Sequence, residues 1–229
     1  MGLRMNCRWL LASLLTMAPC FGADLLRRDD FVKDMGNWMV EQMPGGRFAI
    51  ENGALTIEDA GGCTVWWREK LTAPVLVTYE ATVVAAGGPF DRVSDLNCFW
   101  MATDPTAPAN LFTPIHPRTG RFEDYDLLQT YYVGLGGNEN TTTRFRRYAG
   151  GGLKPLLPEH DRREREVLLE GNRPYRIEVM VLADGTVRYC RDQQLIFEYR
   201  DPAPLKFGWF GIRTVRSHLR IRDFQVRRP

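Results

Sequence analysis

"YRIEVMVLADGTVRYCRDQQLIFEY" (residues 175–199) decides the fold class. Apolar and polar residues alternate through 175–182, 186–191 and 194–199, the period of a half-buried strand. "LADGTV" and "CRDQQL" supply the turn chemistry at which such strands reverse. The same unit recurs at 25–28, 48–50, 54–57, 64–67, 75–84, 96–102, 127–134, 143–148, 166–169, 207–214 and 219–227, with Gly, Pro, Asn and Asp as the breaks. Helical periodicity is almost absent, and only the charged "EHDRRERE" (159–166) is expected to coil for a turn or two. So many strands predict an all-β chain of two stacked antiparallel sheets.

With 229 residues, 44% of them hydrophobic and 25% charged, the composition is that of one ordinary globular domain. A net charge of +2 gives no reason to expect nucleic acid as a partner. Lysine occurs only at Lys33, Lys70, Lys154 and Lys206, so positive charge rests on arginine, whose planar fork suits carboxylates. The opening "MGLRMNCRWLLASLLTMAPCFGAD" sets Arg4 and Arg8 before an apolar stretch and then small residues. It reads as a secretory signal over residues 1–23, too short for a stable membrane span, and Pro19 before Cys20 argues against lipidation. A single domain over 24–229, periplasmic or secreted, is the expectation. Cys63, Cys98 and Cys190 then remain, without metal-type spacing, as core residues with room for one disulfide.

Two long irregular stretches are candidate walls of a site. "TDPTAPANLFTPIHPRTGRFEDYD" (103–126) holds four prolines and a glycine yet is apolar enough to fold over one end of the sandwich. "AGGGLKPLLPEHDRRERE" (149–166) would form the opposite wall and bring in His160. Between them, alternation in "DLNCFWMA" sets Asp95, Asn97, Phe99 and Met101 on one face. The matching sets are Gln129 and Tyr131 in "LLQTYYVG", and Arg144, Arg146 and Tyr148 in "TRFRRY". A shared face of Asp95, Asn97, Gln129, Tyr131, Arg144 and Arg146 would hold sugar hydroxyls and an acidic group; the competing reading is a solvated sheet face.

"GLGGNENTTT" (134–143) lacks the strand-to-helix context and lysine of a phosphate loop, so no nucleotide site is expected. Its glycines suit a wide turn. Asn138, Glu139 and Asn140 offer oxygens to a structural calcium, but without an aspartate series, and no other metal or cofactor is expected. His116 and His160, in the two long loops, are candidate general bases, while His218 reads as structural. Of Trp66 and Trp67 only one can face inward, and Trp67 is taken as a candidate sugar platform. Glu80, Glu178 and Glu198 stand alone on their strands, which disfavours a glycosidase with paired carboxylates.

"SDLNCFWMATDP", "YYVGLGGNENTTTRFRRY" and the long stretch from "NRPYRIEV" to "RIRDFQV" (172–226) resemble the YesU-like group of small bacterial proteins. The resemblance implies a concanavalin A-like jelly-roll sandwich with a concave, sugar-sized groove, in a setting of uronate-polysaccharide breakdown. It carries over no catalytic residue. β-Elimination on a uronate needs a base for the C5 proton and a donor against the carboxylate. Tyr131 or Tyr132, and His160 or His116, are the candidates for proton transfer, with Tyr131 and His160 put first, and Arg144 is the candidate donor to the carboxylate. Asp95, Asn97, Gln129, Asn138, Asn140, Arg146, Trp67 and His116 are the candidate substrate contacts. The leading expectation is therefore an exported lyase acting on acidic oligo- or polysaccharide. A non-catalytic carbohydrate-binding protein and a hydrolase of a modified disaccharide are the alternatives.

Overall fold

The computed structural model describes residues 23–114 and 117–229; residues 1–22, where the signal was read, and His116 lie outside the described residues. In chain order the first strands are β1 (Asp24–Asp29), β2 (Trp38–Gln42), β3 (Arg47–Glu51), β4 (Ala54–Glu58), β5 (Cys63–Trp67), β6 (Leu71–Thr72), β7 (Val75–Val83) and β8 (Leu96–Thr103). There follow β9 (Gln129–Gly136), β10 (Thr142–Ala149), β11 (Asp161–Arg162), β12 (Pro174–Val181), β13 (Thr186–Arg191), β14 (Gln194–Arg200), β15 (Phe207–Thr214) and β16 (His218–Arg228). They form two eight-stranded sheets. Sheet A runs β14-β13-β12-β7-β16-β4-β3 with β1 also on β16, and sheet B runs β11-β10-β9-β8-β15-β5-β2 with β6 also on β15. The pairings are antiparallel, and β12-β13-β14 is the run of hairpins that its two turn sequences predict. The fold is thus an all-β jelly-roll sandwich.

Three local readings differ. β2 and β6 were not expected; β2 is an edge strand in which only Trp38 is buried, so "WMVEQ" shows little alternation. Residues 166–169 form no strand, because the Arg191 guanidinium takes the Glu166 and Leu168 carbonyls that a neighbouring strand would need. "EHDRRERE" is no helix either: it divides into short 3-10 turns around β11, which pairs with β10.

The core lies between the sheets. Val77, Tyr79, Ile177, Val179, Ile221 and Val226 of sheet A meet Val65, Trp100, Val133, Phe145, Phe210 and Ile212 of sheet B. Each such side chain contributes about 1.5–3 kcal/mol by leaving water. Trp67 belongs here and not to a sugar platform: it is 2% exposed, its ring 5.2 Å from Trp38 and 4.9 Å from Phe224. No disulfide joins Cys63, Cys98 and Cys190, all buried.

Candidate functional site

Partners across an antiparallel ladder point to the same side of a sheet, so the outward face of sheet B can be read in rows. One row is Arg144, Gly134, Asn97, Arg213, Thr64 and Glu41, on β10, β9, β8, β15, β5 and β2. The next is Arg146, Tyr132, Phe99, Gly211, Trp66 and Met39. The first row is polar apart from its glycine. The second is largely aromatic.

The loop 103–126 covers the β15-β5-β2 half of this face. Its Leu111 and Tyr125, with Leu128, pack against Trp66, Phe99, Tyr132, Tyr148 and Trp209 in a second apolar cluster outside the sandwich. Tyr125 stacks on Phe99 at 5.3 Å, and Phe99 on Trp66 at 5.6 Å. Arg118 locks the loop in place. Its Nε donates to Glu41 at 3.0 Å, Nη1 to Asp104 at 3.3 Å and Nη2 to the Leu111 carbonyl at 2.6 Å. Beneath it Arg213, fully buried, donates through Nη1 to Thr64 Oγ1 at 2.9 Å and the Gly120 carbonyl at 3.0 Å. The Phe122 and Tyr125 rings lie over that guanidinium at 5.0 and 4.7 Å.

The β10-β9-β8 half stays open as a groove of about 360 Å³. Asn97, Gly134 and Tyr132 line it from the sheet, Arg144 and Arg146 from β10, and Phe122 from the loop. A Cβ at Gly134 would lie 3.1 Å from the Tyr132 hydroxyl. Glycine inside a strand marks a place where something approaches the backbone closely, and here it is the Tyr132 ring.

Arg92 ties the strand-end of the groove together. Its Nη1 donates to Glu139 at 2.7 Å and Nη2 to Asp95 and the Val215 carbonyl, both at 2.5 Å. Asp95 Oδ1 accepts from Asn97 Nδ2 at 3.2 Å, which fixes the amide; Asn97 Oδ1 is left buried with no partner among the described residues. Arg144 forms a two-pronged pair with Asp161, at 2.7 and 3.2 Å. That guanidinium, chiefly by its hydrogen bond, holds the Asp161 carboxyl below the usual carboxylate range.

The turn Gly137–Asn140 carries Asn138 and Glu139 with φ of 53° and 57°, the left-handed region that non-glycine residues seldom adopt in succession. Asn140, at φ 58°, anchors it: its amide donates to the Leu169 carbonyl and accepts from the Leu169 N–H, both at 2.9 Å.

Asp95, Asn97, Asn138, Arg144 and Arg146 therefore come together in the groove. Five other candidates do not. Tyr131 points into the sandwich because its ladder partner is Trp100, leaving Tyr132 to pair with Phe99 on the groove face. The Tyr131 hydroxyl donates to Asp201 at 2.7 Å and accepts from the Leu205 N–H at 3.0 Å. His160 is 5% exposed, edge-on to Phe145 at 4.8 Å and Tyr199 at 5.7 Å, and burial lowers its pKa. Gln129 sits at the far end of β9, donating to the Ala149 carbonyl at 3.4 Å. Asn140 is spent on Leu169 and Trp67 on the core. Met101 also leaves the expected face, since the β8-β9 register shifts after Trp100 and turns Met101 inward at φ 54°. Arg92, Phe122, Gly134 and Arg216 were not among the expected contacts, while Tyr132 stood as the alternative to Tyr131 and Glu139 as a calcium ligand; the strand glycine was the readable signal.

Of the oxygens proposed for calcium, Glu139 Oε1 pairs with Arg92 and the Asn140 oxygen takes the Leu169 N–H, while Asn138 donates through its amide nitrogen to Thr142 at 3.1 Å. Among the described residues no three His, Cys, Asp or Glu side chains are grouped to hold a metal, and no helix is long and apolar enough to cross a membrane. A larger cavity of about 500 Å³ opens beside Pro74, Leu182 and Phe207, but its charged lining is only Lys70 and Lys206. The groove is the better-equipped site because it combines guanidinium, amide and carboxylate groups.

Residues 57–224 match the family described as a domain of unknown function, DUF6250. No curated protein matches the chain. Among solved structures it is similar to a Bacillus subtilis protein of unknown function with a galectin-like fold, at 18% identity and TM-score 0.70, over 90% of this chain and 96% of that one. It is also similar to the Bacillus subtilis carbohydrate binding module CBM66, at 10% identity and TM-score 0.56, over 83% and 95%. The carbohydrate recognition domain of Emp47p shows 15% identity and TM-score 0.56, over 89% and 94%. At these identities the likeness shows the fold alone, a concanavalin A-like jelly-roll sandwich of two antiparallel sheets.

Proposed function

The chain belongs to the DUF6250 family, and from the geometry of its groove we propose that it binds acidic, uronate-containing saccharide without cleaving it. The uncovered half of the polar row carries this reading: Arg144, Gly134 and Asn97, neighbours on three adjacent strands that line the groove, with the Asn97 oxygen at its floor lacking a partner among the described residues. The Tyr132 ring lies over the glycine and offers a flat face to a pyranose, and the planar amide and guanidinium on either side suit vicinal hydroxyls and a carboxylate. Two of the similar structures are themselves carbohydrate-binding, which supports the same class of ligand. Export, and kinship with the YesU-like group, belong to this proposal.

β-Elimination stands second. Of the residues that the sequence offered as base, Tyr131 and His160 pack against the sandwich interior, and His116 lies outside the described residues. Tyr132 does line the groove, but burial, with the neighbouring Tyr148 and Asp95, raises its pKa well above that of a free phenol. It stays a proton donor and is a poor base. Hydrolysis has less support, since Asp95 and Glu139 each commit an oxygen to Arg92.

Calorimetric titration with galacturonate, glucuronate and mannuronate oligomers, with absorbance followed for newly formed unsaturated uronate, tests the proposal. Saturable binding of at least one series with flat absorbance is expected, and Asn97→Ala should weaken it about tenfold, the loss of roughly one good hydrogen-bonded contact. A rise in absorbance that Tyr132→Phe abolishes would replace binding by elimination.

A further inference from the structure

Resting on the reading of the groove as a saccharide site, we infer that it takes the acidic terminal residue of a chain end-on, with the carboxylate on the Nε–Nη2 edge of Arg146.

Size and enclosure support the end-on mode. About 360 Å³ is near the lower end of the range of roughly 300–1,000 Å³ for small-ligand sites, room for one or two sugar rings. Three sides are closed by named contacts. Towards β15, the polar row passes under the loop at Arg213, beneath Phe122 and Tyr125. At the strand-end stand the Arg92 pairs with Asp95 and Glu139. At the opposite end Lys154 bridges to Asp126 at 2.6 Å with its ammonium 5.3 Å from the Phe122 ring centre. Along the sheet, the edge by Arg144 and Asp161 is the side without such a contact among the described residues, and there the rest of a chain would leave. A continuous polymer would need an exit on the Arg213 side as well.

Among the described residues two groove arginines keep a free guanidinium edge, Arg146 and Arg216; Arg216 is 63% exposed and turned to Glu139 at 3.8 Å, so Arg146 is the one held in place. Bidentate recognition of a carboxylate uses two parallel N–H donors on one edge of a guanidinium. Arg144 has already given that edge to Asp161, and Arg92 has used Nε, Nη1 and Nη2 on protein oxygens. Arg146 donates only Nη1, to the Lys154 carbonyl, which holds the side chain while leaving Nε and Nη2 without a hydrogen bond among the described residues. It stands beside Tyr132 in the ladder, so the ring of a bound sugar would lie on the Tyr132 ring, which itself covers Gly134.

The test uses the mature protein and whichever uronate series binds, as a trimer, a dodecamer and a carboxyl-reduced trimer. One protein per chain at both lengths is expected, with the reduced trimer bound at least tenfold more weakly. Arg146→Gln should bind native and reduced trimers alike, whereas Arg144→Gln should weaken both and keep their ratio. Several proteins per dodecamer would overturn the end-on mode and leave saccharide binding intact. Equal affinity for native and reduced trimers would overturn the role of Arg146. Binding of none of the series would overturn the saccharide reading beneath both.

Discussion

Arg118→Ala should destabilise the protein by about 3–5 kcal/mol, the usual cost of removing one partner from a buried ion pair. The residue is 7% exposed and joins two acids from separate parts of the chain, Glu41 on β2 and Asp104 at the start of the loop, with the Leu111 carbonyl as a third partner. Alanine leaves Asp104 and Glu41 in a dry environment facing no cation; Glu41 keeps only the Trp66 indole at 2.8 Å. At roughly 2–4 °C per kcal/mol for a domain of this size, a loss of about 10 °C in Tm is expected. Because the loop roofs the aromatic cluster, limited proteolysis should cut between residues 105 and 121 before the sandwich unfolds. A Tm within about 2 °C of the parent would mean that the loop is held by its apolar contacts alone.

Gly134→Val should abolish saccharide binding, by at least about a hundredfold, or some 2.7 kcal/mol. Valine would place a Cβ 3.1 Å from the Tyr132 hydroxyl and project its methyl groups into the groove between Arg144 and Asn97. Strain on Tyr132 costs about 1–3 kcal/mol in stability, partly offset by the better strand propensity of valine. The variant should therefore still melt cooperatively, which separates lost binding from lost folding. Calorimetry on the folded variant is the check, and unchanged affinity would remove Gly134 from the site.

The strands were legible because the inner faces of both sheets alternate with polar neighbours, as in Ile177, Val179 and Val181 against Arg176 and Glu178. The outer face of sheet B was not, for a physical reason. It carries a second apolar cluster under the loop, so both faces of β8 and β9 are apolar and local alternation has no sign. "TYYV" could be read in either phase, and the pairing of Tyr131 with Trp100 decides it. His160 misled in another way: it lies in a charged stretch that looks solvated, yet a 3-10 turn at Pro158–His160 packs its ring against Phe145 and Tyr199. Of the expected site, Asp95, Asn97, Asn138, Arg144 and Arg146 do share the groove, since each lies on β8, on β10 or in a turn directly beside them. The bond from Asn140 to Leu169 spans 29 residues and no local pattern announces it.

The most direct measurement is a crystal of the mature protein soaked with a uronate trimer. Density for a sugar ring in the groove against Tyr132, between Arg144 and Asn97 with its carboxylate at Arg146, is the expected result. Ordered sugar in the cavity beside Pro74 and Phe207, with nothing against Tyr132, would contradict the assignment of the groove.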